Sequence, residues 1–234
     1  MPLTTSASAV DSLPVGIALE SITLSIGSRD WCITSVRDEI KLMELTQALA
    51  HPPYGFRLWE SAVGLAHWLA ERPAQLNNKR VLELGTGVGL PGLVAASLGA
   101  EVWQTDHQPG VLHLAQLNAT QNQQPPLPQF VADWRMWEHA GRYDLIIGAD
   151  ILYEHALHFY LERIFHHNLV PGGRLLLTDP GRTQALDFAI QLEEHGWQID
   201  LATRPVASIK LGAPTPAVGI TLLTARLAKF SSPH

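Results

Sequence analysis

The fold of this chain is predicted best from residues 80–92, which read Arg-Val-Leu-Glu-Leu-Gly-Thr-Gly-Val-Gly-Leu-Pro-Gly. The segment begins with a short apolar run that is typical of a buried strand. Glycines follow at alternate positions, and an apolar, helix-like stretch continues from Leu90 to Leu98. Glycine permits unusual backbone dihedrals, and the first turn of a helix offers unpaired N–H groups to a ligand. The order of strand, glycine turn and helix therefore predicts a nucleotide-binding crossover.

The position of one acidic residue favours a cationic cofactor over a dinucleotide. The dinucleotide string G-x-G-x-x-G can be matched from Gly87, but the turn starts at Gly85, and the sixth position from there is Leu90. Glu83 lies inside the strand, two positions before the first glycine. A carboxylate at that place repels a pyrophosphate and attracts a positively charged ligand.

The next three predicted strands all end in an aspartate, and they are Glu101–Asp106, Gln129–Asp133 and Tyr143–Asp150. Ligands of open α/β sheets bind at the carboxyl ends of the strands. The first of these acids lies about 20 residues beyond the glycines, where a carboxylate accepts hydrogen bonds from ribose hydroxyls. The second is followed by Trp134, and a carboxylate beside an indole suits an adenine amino group and ring. Any one of these acids alone is equally explained as a helix cap or turn residue, but their shared position favours a site.

The rest of the chain predicts one α/β domain of the Rossmann-like type. A seven-stranded, mostly parallel sheet with an antiparallel last strand is expected, with helices on both faces and an N-terminal β-hairpin. A turn is predicted at Pro171–Gly173. The other predicted elements are the hairpin strands Ser21–Ile26 and Trp31–Val36, helices at Asp38–Ala50 and Leu58–Glu71, a fifth strand at Arg174–Asp179, and a final pair at Gly196–Thr203 and Val218–Leu227.

Composition excludes several classes of function. The chain has 234 residues and a net charge of −6, without any Lys/Arg-rich stretch, so a nucleic-acid partner is not expected. Cys32 is the only cysteine, which precludes an intrachain disulfide and favours a reducing, cytoplasmic location. No signal peptide, no membrane span and no metal site are expected, and a monomer is favoured over an oligomer.

Four stretches together resemble the seven-β-strand methyltransferases, and in particular family 16, whose members mostly modify protein lysines. They are the glycine segment that follows Glu83, the segment Tyr54–Glu60, the D-x-x-Y signature in Gly148–Tyr153, and the loop Asp179–Arg182. The resemblance extends from residue 54 to about residue 227. It implies S-adenosylmethionine (SAM) as cofactor, S-adenosylhomocysteine as product and a protein lysine as the methyl acceptor.

The resemblance also assigns roles to individual residues. Asp150 and Tyr153 are expected to be catalytic, because the D-x-x-Y signature lies beside the acceptor lysine and the methyl group in the family. Expected cofactor-binding residues are Trp59, Glu83, Gly85, Thr86, Gly87, Asp106, His107, Asp133, Trp134 and Ala149. Residues 1–15 are expected to be flexible, and residues 16–234 to form one methyltransferase domain. Within it, residues 16–78 hold the hairpin and first helices, and residues 79–230 form the SAM-binding core.

The sequence leaves other functions open. A small-molecule methyltransferase has the same cofactor motifs, and a non-catalytic SAM-binding module has the same fold. An NAD-dependent oxidoreductase is disfavoured by Glu83 and by the terminal hairpin.

Overall fold

The computed structural model describes residues 18–36, 44, 54–209 and 216–227. Helices and strands are numbered here within those residues. The strands are β1 Leu19–Ile26, β2 Arg29–Val36, β3 Arg80–Leu84, β4 Glu101–Asp106, β5 Gln129–Val131, β6 Tyr143–Ala149, β7 Leu169–Asp179, β8 Trp197–Ala207 and β9 Ala217–Leu227. The helices are α1 Glu60–Ala70, α2 Leu90–Ser97, α3 Pro109–Gln121, α4 His155–Asn168 and α5 Thr183–Glu194, and 3-10 turns occur at Tyr54–Phe56, Pro73–Gln75 and Trp134–Met136.

Seven strands form one sheet in the order β5-β4-β3-β6-β7-β9-β8, and β1 pairs with β2 as a separate hairpin. Strands β3 to β7 are parallel, whereas β9 runs antiparallel to both of its neighbours. Parallel neighbours need a crossover helix, and the two final strands have none between them among the described residues, so they pair antiparallel. The predicted fold is confirmed.

Apolar side chains cover both faces of the sheet, which explains the continuous apolar run of β3. Val81 packs in a cluster with residues of α1, α2, α3 and the hairpin. Leu82 and Leu84 point to the opposite face, where they join a second cluster with residues of α4 and α5. All three are 0% exposed, as expected for a strand whose alternate side chains are buried on either side.

Two asparagines, one on α3 and one directly after it, attach the hairpin to the rest of the domain. Oδ1 of Asn118 accepts the Thr34 N–H at 2.8 Å, and its Nδ2 donates to the carbonyl of Val88 at 2.9 Å. Asn122 accepts the Cys32 N–H at 2.9 Å in the same way. Since Val88 belongs to the glycine segment, Asn118 joins the hairpin directly to the turn where a ligand is expected.

Some predicted boundaries differ from the structure. The predicted turn at Pro171–Gly173 is wrong, because these residues lie inside β7. The pairing of β6 with β7 is irregular near Tyr143, and Gly172 has a φ of 81°, so a local irregularity absorbs the glycines while pairing continues on both sides. Strand β5 ends at Val131, two residues before Asp133.

The helix predicted at Leu58–Glu71 begins at Glu60, because Trp59 keeps an extended backbone with φ −112° and ψ 147°. The expected flexible segment 1–15 and the predicted helix at Asp38–Ala50, apart from residue 44, lie outside the described residues. In the part of the chain that the structure describes, no helix has the length and apolar character needed to cross a membrane.

Candidate functional site

The parallel strands bring the predicted acidic residues to one edge of the sheet. Strands β5, β4, β3 and β6 are consecutive neighbours, so their carboxyl ends lie side by side. Asp106 is the last residue of β4, Asp150 follows the end of β6 directly, and Asp133 follows β5 by two residues. This edge also carries the glycine turn, and it is the place where open α/β sheets bind ligands.

Two glycines of the turn adopt backbone conformations that residues with a side chain rarely adopt. Gly85 and Gly87 have φ values of 60° and 53°. A Cβ on Gly85 would lie 3.6 Å from the Trp134 ring, and one on Gly87 would lie 3.4 Å from the carbonyl oxygen of Gly55. The 3-10 turn that contains Gly55 and the ring of Trp134 therefore both lie close to the glycine turn.

Glu83 is held inside the protein and is not on the open surface of the edge. It is 2% exposed; its Oε1 accepts the Gly92 N–H at 2.9 Å, and its Oε2 accepts the Gln104 side-chain amide at 2.7 Å. Burial raises the pKa of Glu83 to about 7, against the opposing effect of these hydrogen bonds. The carboxylate thus ties the first turn of α2 to strand β4, and any effect on a ligand acts through the glycine turn.

Asp106 is fixed beside the glycine turn by backbone donors. Its Oδ2 accepts the Gly87 N–H at 3.2 Å, and its Oδ1 accepts the Gln108 N–H at 3.2 Å. His107 Nδ1 lies 3.3 Å from Oδ1, and the hydrogen bond to Asp106 raises the pKa of His107. The carboxylate is 6% exposed and has a fixed orientation, which suits it to accept hydrogen bonds from ligand hydroxyls.

Asp133 has the capping role that the sequence left open as an alternative. Its Oδ1 accepts the Arg135 N–H at 2.9 Å at the start of the 3-10 turn, and Nη2 of the same arginine donates to Oδ2 at 2.6 Å. The guanidinium lowers the pKa of Asp133. By fixing the 3-10 turn, Asp133 also fixes Trp134, whose ring faces Gly85.

Thr86 and Ala149 lie on neighbouring strand ends. Thr86 is 5% exposed, and its N–H donates to the Thr105 carbonyl at 3.1 Å, which joins the glycine turn to β4. Ala149 is the last residue of β6, is partly buried and pairs with Thr178 of β7. Both residues set backbone position at the edge of the sheet.

Three aromatic side chains, Tyr54, Trp59 and Tyr153, contact one another in a row. Tyr54 meets Trp59 edge-on with ring centroids 6.2 Å apart, and meets Tyr153 edge-on at 5.9 Å. Trp59 Nε1 donates to the Tyr54 carbonyl at 3.1 Å. Burial raises the pKa of Tyr153 to about 12, so its hydroxyl stays protonated. The sequence singled out Trp59 and Tyr153 but not Tyr54, which has no distinguishing spacing.

Asp150 lies in an unusual backbone conformation and pairs with an arginine from the next loop. Its φ is 60°, and its N–H donates to the Thr178 carbonyl at 2.8 Å. Arg182 Nη1 donates to Oδ1 of Asp150 and, at 2.9 Å, to Oδ2 of Asp179. Burial raises the pKa of Asp150, while the ion pair with Arg182 opposes that shift.

Two further charged residues, Arg57 just before α1 and Glu60 at its first position, influence Asp150 electrostatically. Arg57 is 8% exposed, and its guanidinium lies 4.5 Å from the centroid of the Trp59 ring. Burial lowers the pKa of Arg57, and the nearby charges of Glu60 and Asp150 oppose that shift. Sequence reasoning did not assign either residue to the site, although both lie in the segment Tyr54–Glu60 that it had singled out.

The arrangement can bind an organic cation. Within the residues that the structure describes, no three His, Cys, Asp or Glu side chains group in a way that could hold a metal ion. The edge of the sheet therefore combines fixed carboxylates, a glycine turn and aromatic faces, which attract cations.

Comparison with known proteins reveals related chains. A family model described as lysine methyltransferase matches residues 15–195. EEF1A lysine methyltransferase 3 of Mus musculus is 31% identical over 63% of this chain and 66% of its own length. Protein N-lysine methyltransferase METTL21A of Danio rerio is 40% identical over 41% of this chain and 47% of its own length. The matched segments thus span less than two thirds of these relatives.

The fold also matches that of a solved enzyme. Magnesium protoporphyrin IX methyltransferase of Synechocystis PCC 6803, solved with bound SAM, superposes with a TM-score of 0.57 over 72% of this chain and 79% of that chain. The sequence identity is 19%, so the likeness concerns the fold alone.

Proposed function

The chain belongs to the lysine methyltransferase family, and from this premise we propose that it transfers a methyl group from SAM to a lysine side chain of a protein. The family predicted from the sequence is confirmed by the match over residues 15–195. The observation that supports the proposal is the packing of Ile151 against the glycine turn, where a Cβ added to Gly85 would lie 2.7 Å from it. Ile151 lies between Asp150 and Tyr153 in the chain.

The residues at the edge of the sheet fit SAM. When bound, the cofactor supplies an electrophilic methyl group on a positively charged sulfur. Asp106, held by the Gly87 N–H, is oriented to accept the two ribose hydroxyls. Trp134 offers a ring face for adenine, and Thr86, His107, Asp133 and Ala149 complete the proposed cofactor contacts. Trp59 offers an aromatic face that attracts a sulfonium.

The acceptor is held by Asp150 in this proposal. Methyl transfer is an in-line displacement, so the enzyme must align the attacking nitrogen, the methyl group and the leaving sulfur. A carboxylate at Asp150 binds the incoming ammonium and orients it. The rings of Tyr54 and Tyr153, whose centroids lie 5.9 Å apart, line the approach.

The amine must lose its proton before it attacks. The unperturbed pKa of lysine is about 10.4, and a carboxylate neighbour favours the charged form of the amine. Asp150 therefore serves to bind and orient the acceptor, and the proton passes to water. Tyr153, with a pKa raised to about 12, is not available as a base at neutral pH.

A small molecule is the second candidate acceptor, because the same carboxylate would bind any amine. We further propose a single methyltransferase domain over residues 16–234, a cytoplasmic location, a monomeric state, and no nucleic-acid or membrane partner. The family membership supports a protein acceptor over a small molecule.

Methyl transfer from tritiated SAM to a cell lysate tests the proposal. The lysate is separated into protein and small-molecule fractions after incubation, and labelled proteins are digested to identify the modified side chain. Label on protein lysine is expected. Label confined to small molecules would favour the second candidate, and absence of label with intact binding of S-adenosylhomocysteine would favour a non-catalytic module. The Asp150→Asn variant is the matched control for background transfer.

A further inference from the structure

Five charged side chains meet beside the proposed acceptor site. Glu60, Asp150 and Asp179 are carboxylates, and Arg57 and Arg182 are guanidiniums, with mutual electrostatic effects that link all five. With every group ionised, the three acids and two bases leave the cluster one negative charge in excess. Among the described residues, the cluster therefore attracts a cation.

Arg182 is fixed independently of Asp150. Its backbone N–H donates to Oδ1 of Asp179 at 2.7 Å, and its Nη1 donates to Oδ2 of the same residue at 2.9 Å. The side chain then reaches from the start of α5 to Oδ1 of Asp150. Within the described residues, Oδ2 of Asp150 receives no hydrogen bond, so one oxygen of this carboxylate is engaged and the other is available.

We propose that Arg182 is a positioning residue, which occupies Oδ1 of Asp150 and so presents Oδ2 of the same carboxylate to the ammonium group of the acceptor. This inference rests on the proposed function. A cap at the start of α5 explains the bonds between Asp179 and Arg182, but it does not require the guanidinium to contact a second carboxylate at the end of β6. The bridge joins the ends of β6 and β7 at the point where the acceptor is to be aligned.

Loss of Arg182 has a defined electrostatic consequence. The titratable groups that face Asp150 are Arg57 before α1, Glu60 at the start of α1, Tyr153 after β6, Asp179 at the end of β7 and Arg182 at the start of α5. The hydroxyl of Tyr153 is neutral, and the other four groups are charged. Without Arg182, the cluster keeps the three carboxylates of Glu60, Asp150 and Asp179, and among the described residues of the cluster Arg57 is the one remaining guanidinium. Repulsion would then turn Asp150 away from Asp179 and favour its protonated form.

The variants Arg182→Gln and Arg182→Lys test the inference, with Arg204→Gln as the matched control. Arg204 forms a comparable ion pair with Glu71 at the other end of α1, at 2.7 Å. Two measurements are made on each variant: the titration of the Asp150 carboxyl by carbon-13 NMR, and kcat and KM for methyl transfer against pH.

The expected result for Arg182→Gln is a rise of about 1 unit or more in the pKa of Asp150, the size of effect that an arginine neighbour has on an aspartate. The acidic limb of kcat/KM shifts by the same amount, which lowers kcat/KM by about tenfold below that pKa. The dissociation constant of S-adenosylhomocysteine is unchanged. Arg182→Lys keeps the charge and should leave the pKa of Asp150 close to its wild-type value, whereas Arg204→Gln should leave both measurements at their wild-type values.

An unchanged Asp150 titration in Arg182→Gln would overturn the inference, and so would wild-type kcat/KM across the pH range. If Arg182→Gln fails to fold, nitrogen-15 NMR spectra of the Arg182 guanidinium in the wild-type protein test the ion pair with Asp150 directly. Hindered rotation of the guanidinium that is lost when Asp150 is protonated would support the inference. Free rotation at neutral pH would refute it. Absence of methyl transfer by the wild-type protein would refute the proposed function instead, because the NMR titration reports on Arg182 and Asp150 without any turnover.

Discussion

The carboxylate of Glu83 accepts a hydrogen bond of 2.7 Å from the side-chain amide of Gln104, its register partner on the neighbouring strand. The same carboxylate accepts the backbone N–H of Gly92 in the first turn of α2. Strands β3 and β4 and helix α2 are thus joined by one buried acidic group directly beneath the glycine turn. The sequence indicated that Glu83 attracts a cationic ligand, whereas in the structure its hydrogen bonds stabilise the elements that flank the turn.

The pH dependence of stability should change in Glu83→Gln. The folded-state pKa is about 7 and the reference value is 4.5, so the folded protein holds this proton more tightly than the unfolded chain. The contribution of this group to the free energy of unfolding is therefore fully present below pH 4.5 and is lost as the pH rises through about 7. The total loss is about 3 kcal/mol. Urea unfolding at several pH values should show a flatter profile for Glu83→Gln. The exposed Glu101→Gln variant is the control, and equal slopes for Glu83→Gln and the wild-type protein would contradict this account.

Gly92→Ala should destabilise the protein, because the added Cβ would overlap the Glu83 carboxylate and the Gln104 amide. Overpacking of a filled interior costs about 1–3 kcal/mol. The control is Gly219→Ala, whose added Cβ would meet Thr203 at an ordinary 3.6 Å. Chemical denaturation measures both variants, and equal stability of the two would argue against a tightly packed site at Gly92.

Asp106→Ala should weaken the binding of S-adenosylhomocysteine by about 1–3 kcal/mol, the range for loss of hydrogen bonds to a partly buried ligand. Asp144→Ala is the control, since Asp144 lies at the start of β6, near the opposite end of the strands, and pairs with Lys79. Calorimetry with S-adenosylhomocysteine and with NAD measures the effect. An unchanged dissociation constant in Asp106→Ala would exclude the ribose role. Binding of NAD but not S-adenosylhomocysteine by the wild-type protein would contradict SAM as the cofactor.

Asp150→Asn should keep cofactor binding and lower kcat by roughly 10²-fold or more, because alignment of the acceptor is lost. Asparagine tolerates the positive φ of this position, so the backbone should be preserved. The exposed Asp187→Asn variant is the control. Methyl transfer and cofactor affinity are measured on the same folded sample. Full activity would exclude Asp150 from the mechanism, and joint loss of binding would assign it to the cofactor.

Tyr153→Phe should retain kcat within about threefold, because burial keeps the hydroxyl protonated and the ring contact with Tyr54 survives the change. Tyr153→Ala removes the ring and should lower kcat further. Steady-state kinetics on both variants separates the roles of ring and hydroxyl. A loss of about 10²-fold in Tyr153→Phe, the usual contribution of a general base, would mean that the hydroxyl takes part in proton transfer.

The sheet and the place of the site follow from local patterns in the sequence. The apolar run of β3 predicts a strand covered on both faces, because every side chain of such a strand must leave water. The glycines after it predict a turn with positive φ, and the aspartates at the strand ends predict one acidic edge. The terminal hairpin follows from the absence of any helical pattern between the two predicted last strands.

The environment of each site residue follows only from the tertiary structure. Asp133 and Asp106 were both predicted to end a strand, yet one pairs with the guanidinium of Arg135 and the other with the backbone of the glycine turn. The pairing of Asp150 with Arg182 depends on the adjacency of β6 and β7. No local pattern encodes it.

Sequence by itself therefore predicted the fold and the edge of the sheet where the site is proposed, because hydrophobic periodicity and glycine positions act over a few neighbouring residues. The family followed from the resemblance of its motifs to those of known methyltransferases. Tertiary structure decided that Glu83 lies inside the protein, that Tyr54 joins Trp59 to Tyr153, and which charges meet Asp150. Those contacts join segments far apart along the chain, and the burial that shifts the pKa of a carboxylate exists only when the segments are packed together.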